Sequence, residues 1–534
     1  MAPFIKKTFF IFVLLAFAST SYAQFIAPKI QWAKCFGGTD DETASCIEST
    51  SDKGFIIAGY SYSIDFDVTG HHNQANNNAD YWIVKLDSTG TMEWERSLGG
   101  DSDDIATSIK QTHDGGFIVA GYSNSVNGDV SGNHGGIDYW IVRLDPNGKI
   151  IWEKSYGGSH NDYADLVGLA SDGGYIIAGS SLSNDKDVSG HHGSTDYDDF
   201  WIVKLDSIGT VVWEKSYGGG GIDIAYDIKR MGNNGYVIAG TSNSTDGDVT
   251  GNHGGQDYWI IKIDSIGNLK WEKSFGGTSL DEARSLDLTE DGGYIVTGYS
   301  ASNDGEVSGN HGQADYWIIK LDSNENLQWQ KSFGGSDIDA AYSIEQTFDR
   351  GFIIAGNTAS NNGNVSGNHG GYDYWVIKLD SLGNLLWQKT LGGTGDEFPY
   401  CIRQTADSGF IIAGSTTSDD GDVTGHHFQQ DYWIVKLGAH PQSGVSYSEK
   451  KGKGLSYNYP NPFVNKTTIV LSDAVTSDSY LLLYNLLGEQ VRKLDIPASA
   501  TTIILDRSAL AGGVYIYRVM DSGHIITSGN IIIK

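Results

Sequence analysis

Short, almost uninterrupted apolar runs alternate with long polar stretches along this chain, and the alternation recurs. Residues 336–393 are representative. Ala341–Thr347 reads as a first strand and Phe348-Asp349-Arg350-Gly351 as a tight turn. Most copies place Asp-Gly-Gly at that turn, as in Asp291-Gly292-Gly293, where glycine supplies the positive φ a hairpin turn needs. Phe352–Gly356 is a second strand, apolar on both faces, and the polar loop Asn361–Gly371 follows. Tyr374–Leu379 is a third strand, Asp380–Asn384 a turn, and Leu385–Lys389 a fourth. Strands two and three read as buried on both sides, whereas the fourth alternates like a half-exposed edge. Four antiparallel strands per repeat predict a propeller blade.

The fourteen tryptophans count the repeats. Trp82, Trp140, Trp201, Trp259, Trp317, Trp375 and Trp433 each follow Tyr or Phe. Trp32, Trp94, Trp152, Trp213, Trp271, Trp329 and Trp387 each precede Lys or Arg by two residues. Successive members are 58 residues apart, except where loops add three or four. The repeats begin with a fourth strand, Ile30–Lys34, and end with a third, Tyr432–Leu437. Pairing the leftover strand with the incomplete last blade would close a ring and remove two exposed edges. The expectation is all-β: a seven-bladed β-propeller over 24–438, then a small Ig-like β-sandwich.

Residues 1–23 have the layout of a secretory signal peptide. Lys6-Lys7 precede an apolar core, and Ala23 and Gln24 flank the cleavage site. No other segment is long and apolar enough to span a bilayer, so no transmembrane segment is expected in the mature chain. Residues 24–438 hold 25 Lys and Arg against 59 Asp and Glu, a net charge of −34, whereas 455–534 are balanced and lack Trp. The break marks a second domain, with 439–454 a solvated linker. An acidic first domain argues against nucleic acid as a partner and favours cations, cationic partners or neutral glycans. Cys46 and Cys401 share a repeat position filled elsewhere by Ser108, Ser285 and Ser343, and Cys35 stands where Ser155 and Ser332 do. That pattern reads as tolerated small residues on neighbouring first strands, not as a disulfide framework.

From Leu455 short strands and turns recur over about eighty residues, the pattern of a small sandwich. Three stretches stand out: Asn458-Tyr459-Pro460-Asn461-Pro462-Phe463, Leu483–Gly488, and Leu510-Ala511-Gly512-Gly513-Val514-Tyr515. This region resembles the C-terminal sorting domain of type IX secretion, the outer-membrane export route of Bacteroidetes. The resemblance implies a passenger handled by type IX machinery, exported through the periplasm, and released or held at the outer surface. The repeats resemble the Asp-Gly-Gly and Asp-Tyr-Trp propeller repeats often joined to such tails, a likeness that bears on fold alone.

Strand order puts the long loop and the link to the next blade at one end. Gly-Gly is followed four residues on by an acid: Glu42, Asp104, Asp162, Asp223, Asp281, Asp339 and Glu397. Asp80, Asp138, Asp199, Asp257, Asp315, Asp373 and Asp431 each precede an aromatic-Trp pair, and a His recurs from His72 to His427. Asp246, Asp248 and Asp257, with their repeat equivalents, could supply oxygen ligands for Ca²⁺, although the spacing is not that of an EF-hand. Hydrogen bonding to loop backbone is the competing role, and sevenfold repetition favours it. No nucleophile elbow, zinc-protease helix or phosphate loop occurs, so no catalytic residue and no certain cofactor is expected. Non-enzymatic recognition of an unknown extracellular glycan or protein is the leading reading. A polysaccharide hydrolase or lyase, or a structural surface-layer component, are the alternatives.

Overall fold

The computed structural model describes residues 26–72, 78–232, 235–439, 456–459, 465–471, 475, 479–485, 490–508, 510–521 and 524–533. The chain divides into two compact units, Met1–His440 and Pro441–Lys534. The expected signal peptide with Ala23 and Gln24, and all but residue 439 of the expected linker, lie outside the described residues. Every regular element is a strand; no helix occurs among the described residues.

The first unit is seven four-stranded antiparallel sheets in a row, consistent with a propeller. Sheet one comprises Glu42–Ser49, Phe55–Ser61, Asp80–Leu86 and Met92–Leu98, paired in that order. The pattern recurs in sheet two (residues 104–156), three (162–217), four (223–275), five (281–333) and six (339–391). Sheet seven has Glu397–Gln404, Phe410–Thr416 and Asp431–Leu437, and its fourth strand is Ile30–Phe36 from the start of the chain. Phe36 pairs with Tyr432 and Cys35 with Trp433.

Burial follows the polarity pattern. Second and third strands such as Phe352–Thr358 and Asp373–Leu379 are buried along their whole length, while the fourth strands are half-exposed. The first and third strands begin one or two residues earlier than the apolar runs, because each starts on a buried acid. Every first strand also carries a bulge, as between Ala164 and Leu166. The bulge drives a carbonyl into the second strand: a Cβ on Gly179 would lie 2.0 Å from Tyr163 O. Glycine therefore occupies that position in every copy, from Gly59 to Gly414.

Tryptophans join the sheets. Tyr81 Oη donates to the carbonyl of Trp140 (2.8 Å), and the two ring centroids are 4.5 Å apart. Tyr139–Trp201 and Tyr258–Trp317 repeat the contact, and Phe200 keeps the ring packing against Trp259 at 4.6 Å. The second tryptophan series covers the neighbouring sheet's turn glycine: Trp94 against Gly148, Trp152 against Gly209, Trp32 against Gly90.

The second unit has two sheets. One holds Ser456–Tyr459, Lys466–Leu471 and Thr502–Asp506; the other Gln490–Ile496, Ser479–Tyr484, Gly513–Asp521 and His524–Ile533. Ile469, Leu471 and Leu505 from one sheet and Leu481, Leu483, Val519 and Ile531 from the other share one core, a small sandwich.

Candidate functional site

The long loops and inter-sheet links meet at one end of the sheets. Thr39 N donates to Asp65 Oδ1 (2.9 Å), and Gly220 N to Asp246 Oδ1 (2.7 Å). The acid opening each first strand is fully buried. Asp104 Oδ2 accepts from Gly100 N (2.7 Å) and Ser125 Oγ (2.9 Å). The Asp before each aromatic-Trp pair is equally buried, and Asp257 Oδ2 accepts His253 N (2.8 Å) and meets His253 Nδ1 (2.6 Å). The first glycine of each link lies between the two carboxylates. A Cβ on Gly276 would fall 2.5 Å from Asp257 Oδ1 and 2.7 Å from Asp281 Oδ2.

Removal from water dominates the electrostatics of these pairs. Burial pushes the carboxyls of Glu42, Asp104 and Asp162 up to about 7, and those of Asp223, Asp281 and Asp339 up to about 6. The loop histidines bridge neighbouring sheets: His72 Nε2 lies 3.3 Å from Asp129 Oδ2, and His253 Nε2 3.5 Å from Glu306 Oε2. Hydrogen bonds to Asp129 and Asp80 raise His72 to about 10.

The three residues singled out for calcium face opposite ways. Asp246 and Asp248 turn toward the link before sheet four, where Asp248 Oδ2 accepts Gly218 N (3.4 Å). Asp257 lies against Gly276 in the link after it. Among the described residues, no group of three or more His, Cys, Asp or Glu could hold a metal ion.

Besides the longer loops of the first and third repeats, departure from sevenfold repetition lies on the first strands, which pack against one another from sheet to sheet. In these eight-residue strands the first, third and sixth positions are nearly invariant among the copies: an acid, Ala or Pro, and Ile, Val or Leu. The fourth position reads Ser45, Thr107, Asp165, Tyr226, Arg284, Tyr342 and Tyr400, all half-exposed. Four consecutive sheets thus contribute one stacked arc. The Arg284 guanidinium lies 4.2 Å from the Tyr226 ring centroid and 5.8 Å from that of Tyr342, whose ring is 5.5 Å from Tyr400. Arg284 Nη2 pairs with Glu282, and Tyr299 Oη donates to the same carboxylate. Burial, partly offset by the Arg284 charge, pushes Asp165 up to about 7. Nearer the loops, Tyr60, Tyr62, Ile105 and Tyr122 line a hollow of about 270 Å³. The fourth-position column of the first strands carries this asymmetry in the sequence, whereas the loop motifs repeat in every copy.

In the second unit, Tyr459 ends the strand Ser456–Tyr459, while Pro460, Asn461, Pro462, Phe463 and Gly488 lie outside the described residues. Gly513 opens a central strand with φ +150°, and the buried Tyr515 donates from Oη to the carbonyl of Ala511 (2.9 Å). That bond fixes the approach to the strand, in the manner of a tyrosine corner.

Residues 458–534 match the family described as the secretion system C-terminal sorting domain. Over 183 residues the chain is 25% identical to the regulatory protein FlaEY of Caulobacter vibrioides. The stretch is 32% of this chain and 18% of that protein, so the chain spans less than a fifth of that relative's length. A fungal alcohol oxidase of the AA5 family, solved in complex with copper, is similar with a TM-score of 0.44 and 9% identity, over 95% of this chain and 100% of that one. Sqt1 from Chaetomium thermophilum is similar at 0.39 and 10%, over 77% of this chain and 100% of that one. Likeness at this level carries no argument about activity. The C-terminal sorting domain implies handling by type IX secretion machinery and a secreted or outer-surface destination. No helix among the described residues is long and apolar enough to cross a membrane.

Proposed function

We propose that the first unit is a closed seven-bladed β-propeller, exported to recognise a glycan or a protein and not to catalyse a reaction. In this reading 1–23 is a signal peptide cleaved between Ala23 and Gln24, 24–438 the propeller, 439–454 a linker and 455–534 the sorting domain, with the periplasm on the route. Support for closure comes from the opening strand, which completes sheet seven while its Trp32 covers Gly90 of sheet one.

The observation that carries the binding role is the arc Tyr226–Arg284–Tyr342–Tyr400. Tyrosine presents a rigid apolar face and a hydrogen-bonding tip at small entropic cost, and Arg adds donors without losing its stacking. The loop carboxylates, by contrast, are engaged by glycine and histidine N–H groups in every copy described.

A glycan array and a polysaccharide hydrolase panel on the exported chain test the reading. Binding should appear without turnover. Tyr226→Ala or Tyr342→Ala should weaken it about tenfold, the loss of one stacking contact. Polysaccharide turnover, or binding indifferent to both substitutions, would overturn it.

A further inference from the structure

The molecule offers one pair of nucleophilic side chains that its repeat architecture leaves unexplained. Cys46 lies on the first strand of sheet one and Cys401 on the first strand of sheet seven, and these strands pack together. Both thiols are buried, at 4% and 3% exposure. Cys401 Sγ donates to the carbonyl of Ile47, the residue next to Cys46, at 3.5 Å. Cys46 Sγ points onward to the carbonyl of Ile109 in sheet two at 3.9 Å.

The repeat shows that side chains at this position touch across neighbouring sheets. Ser285 of sheet five donates to Asp227 of sheet four at 3.1 Å, and Asp227 occupies the position of Cys401 relative to Ser285 as Cys46. Other copies carry Ser108, Leu166, Ser285 and Ser343 there. Cysteine occurs only in the two sheets that are farthest apart in sequence and adjacent in space. An unconnected substitution at two of seven positions would not favour that one junction.

We propose that Cys46 and Cys401 form a disulfide in the exported protein, a covalent staple between the first and last sheets. The oxidant is a disulfide-bearing protein or small molecule, R–S–S–R. The Cys46 thiolate attacks one of its sulfurs and releases R–S⁻; the Cys401 thiolate then displaces the second R–S⁻ from the mixed disulfide. One S–S bond forms in the protein and one breaks in the oxidant. Two electrons pass to the oxidant, and the two thiol protons end on two RSH.

Arg403 Nε and Glu48 Oε1 form an ion pair beside the thiols at 3.3 Å, crossing the same junction. Since both sulfurs are buried once the sheets meet, exchange must occur while the junction is still open. All three cysteines are free thiols in this structure; Cys35, on the opening strand, has no cysteine partner and stays a thiol.

Alkylation of denatured protein collected from outside the cell, followed by peptide mapping without reductant, tests the proposal. A linked Cys46–Cys401 peptide is expected, with Cys35 as the one alkylated cysteine. Three alkylated cysteines would overturn it. Because serine fills the position in three other copies, Cys46→Ser/Cys401→Ser should still fold. Reduction should lower the melting temperature of the native protein to that of the double variant and leave the variant unmoved. A native protein insensitive to complete reduction would count against a staple, and Cys35→Ser should behave like the native chain in every assay.

Discussion

The hydroxyl of Tyr432 donates to the carbonyl of Trp82 across 2.9 Å, although the residues are 350 positions apart. It is the same bond that Tyr81 makes to Trp140 and Tyr316 to Trp375 between consecutive sheets. The ring centroids of Tyr432 and Trp82 are likewise 4.5 Å apart. The junction between sheets seven and one is thus built from the same parts as the others, with one strand supplied from the opposite end of the unit.

Removing residues 26–36 should therefore be severe. Sheet seven would keep three strands, Asp431–Leu437 would become an open edge, and the buried Cys35 and Phe36 would leave a cavity. A loss of about 3–5 kcal/mol, or outright aggregation, is expected on the scale of large core truncations. Thermal melting with light scattering measures both, and an unchanged melt would contradict the seven-sheet account.

Stability should peak in mild acid. Glu42, Asp104, Asp162, Asp223, Asp281 and Asp339 have folded-state values of about 6 to 7, above the ordinary carboxyl range. The folded chain thus holds protons that the unfolded chain releases near pH 4. The associated stability is complete below about pH 4 and is lost as pH rises through 6 to 7. Turn acids work the other way: despite burial, Thr50 and Lys85 hold Asp52 at about 2, so its contribution is lost as pH falls below about 4. Melts from pH 3 to 9 at constant ionic strength should show a maximum near pH 4 to 5. Asp104→Asn, a mimic of the protonated acid, should reduce the alkaline slope.

One strand pairing, inside sheet seven, lacks a hydrogen bond that its siblings have and can be repaired. Trp82 Nε1 donates to Glu95 (3.0 Å), Trp140 to Glu153 (2.9 Å) and Trp317 to Gln330 (3.0 Å). In sheet seven the corresponding residue is Ala33, and Trp433 Nε1 has no hydrogen-bond partner. Ala33→Glu or Ala33→Gln should stabilise the unit by about 1 kcal/mol, read as a higher melting temperature. No gain from either would mean that the strand cannot deliver the acceptor.

Gly179→Ala should cost about 1–3 kcal/mol, since its Cβ would meet Tyr163 O at 2.0 Å in a close-packed sheet. Denaturant melts give the value, and a neutral result would mean that the bulge relaxes freely.

Calcium should leave the melt unmoved at constant ionic strength, because Asp246 and Asp248 already accept N–H groups from the link before sheet four and Asp257 accepts that of His253 in its own loop. A rise on calcium addition, abolished by Asp248→Asn, would assign these acids to an ion instead.

Much of this was legible in the sequence, for reasons that can be named. Phe352–Gly356 and Tyr374–Leu379 are apolar on both faces, which only a doubly covered strand requires, and both are strands here. The leftover strand at Ile30 announced where it pairs. The repeat position already put Cys46 and Cys401 on neighbouring first strands, but the stacking of Arg284 on Tyr226 was not legible. It depends on how neighbouring sheets are angled, and linear spacing does not encode that angle. Serine at the equivalent positions made the two cysteines look incidental until the sheets that carry them came together.

The borrowed strand in sheet seven also sets an order of events. Ile30–Phe36 is synthesised well before its partner Asp431–Leu437, which arrives some four hundred residues later. Sheets one to six can each form from local hairpins, whereas the seventh must wait for the slowest loop closure in the unit. Until then Trp32 and Phe36 lie on an unpaired strand, apolar surface that invites aggregation. The last bond made is also the point where an interruption would first undo the unit.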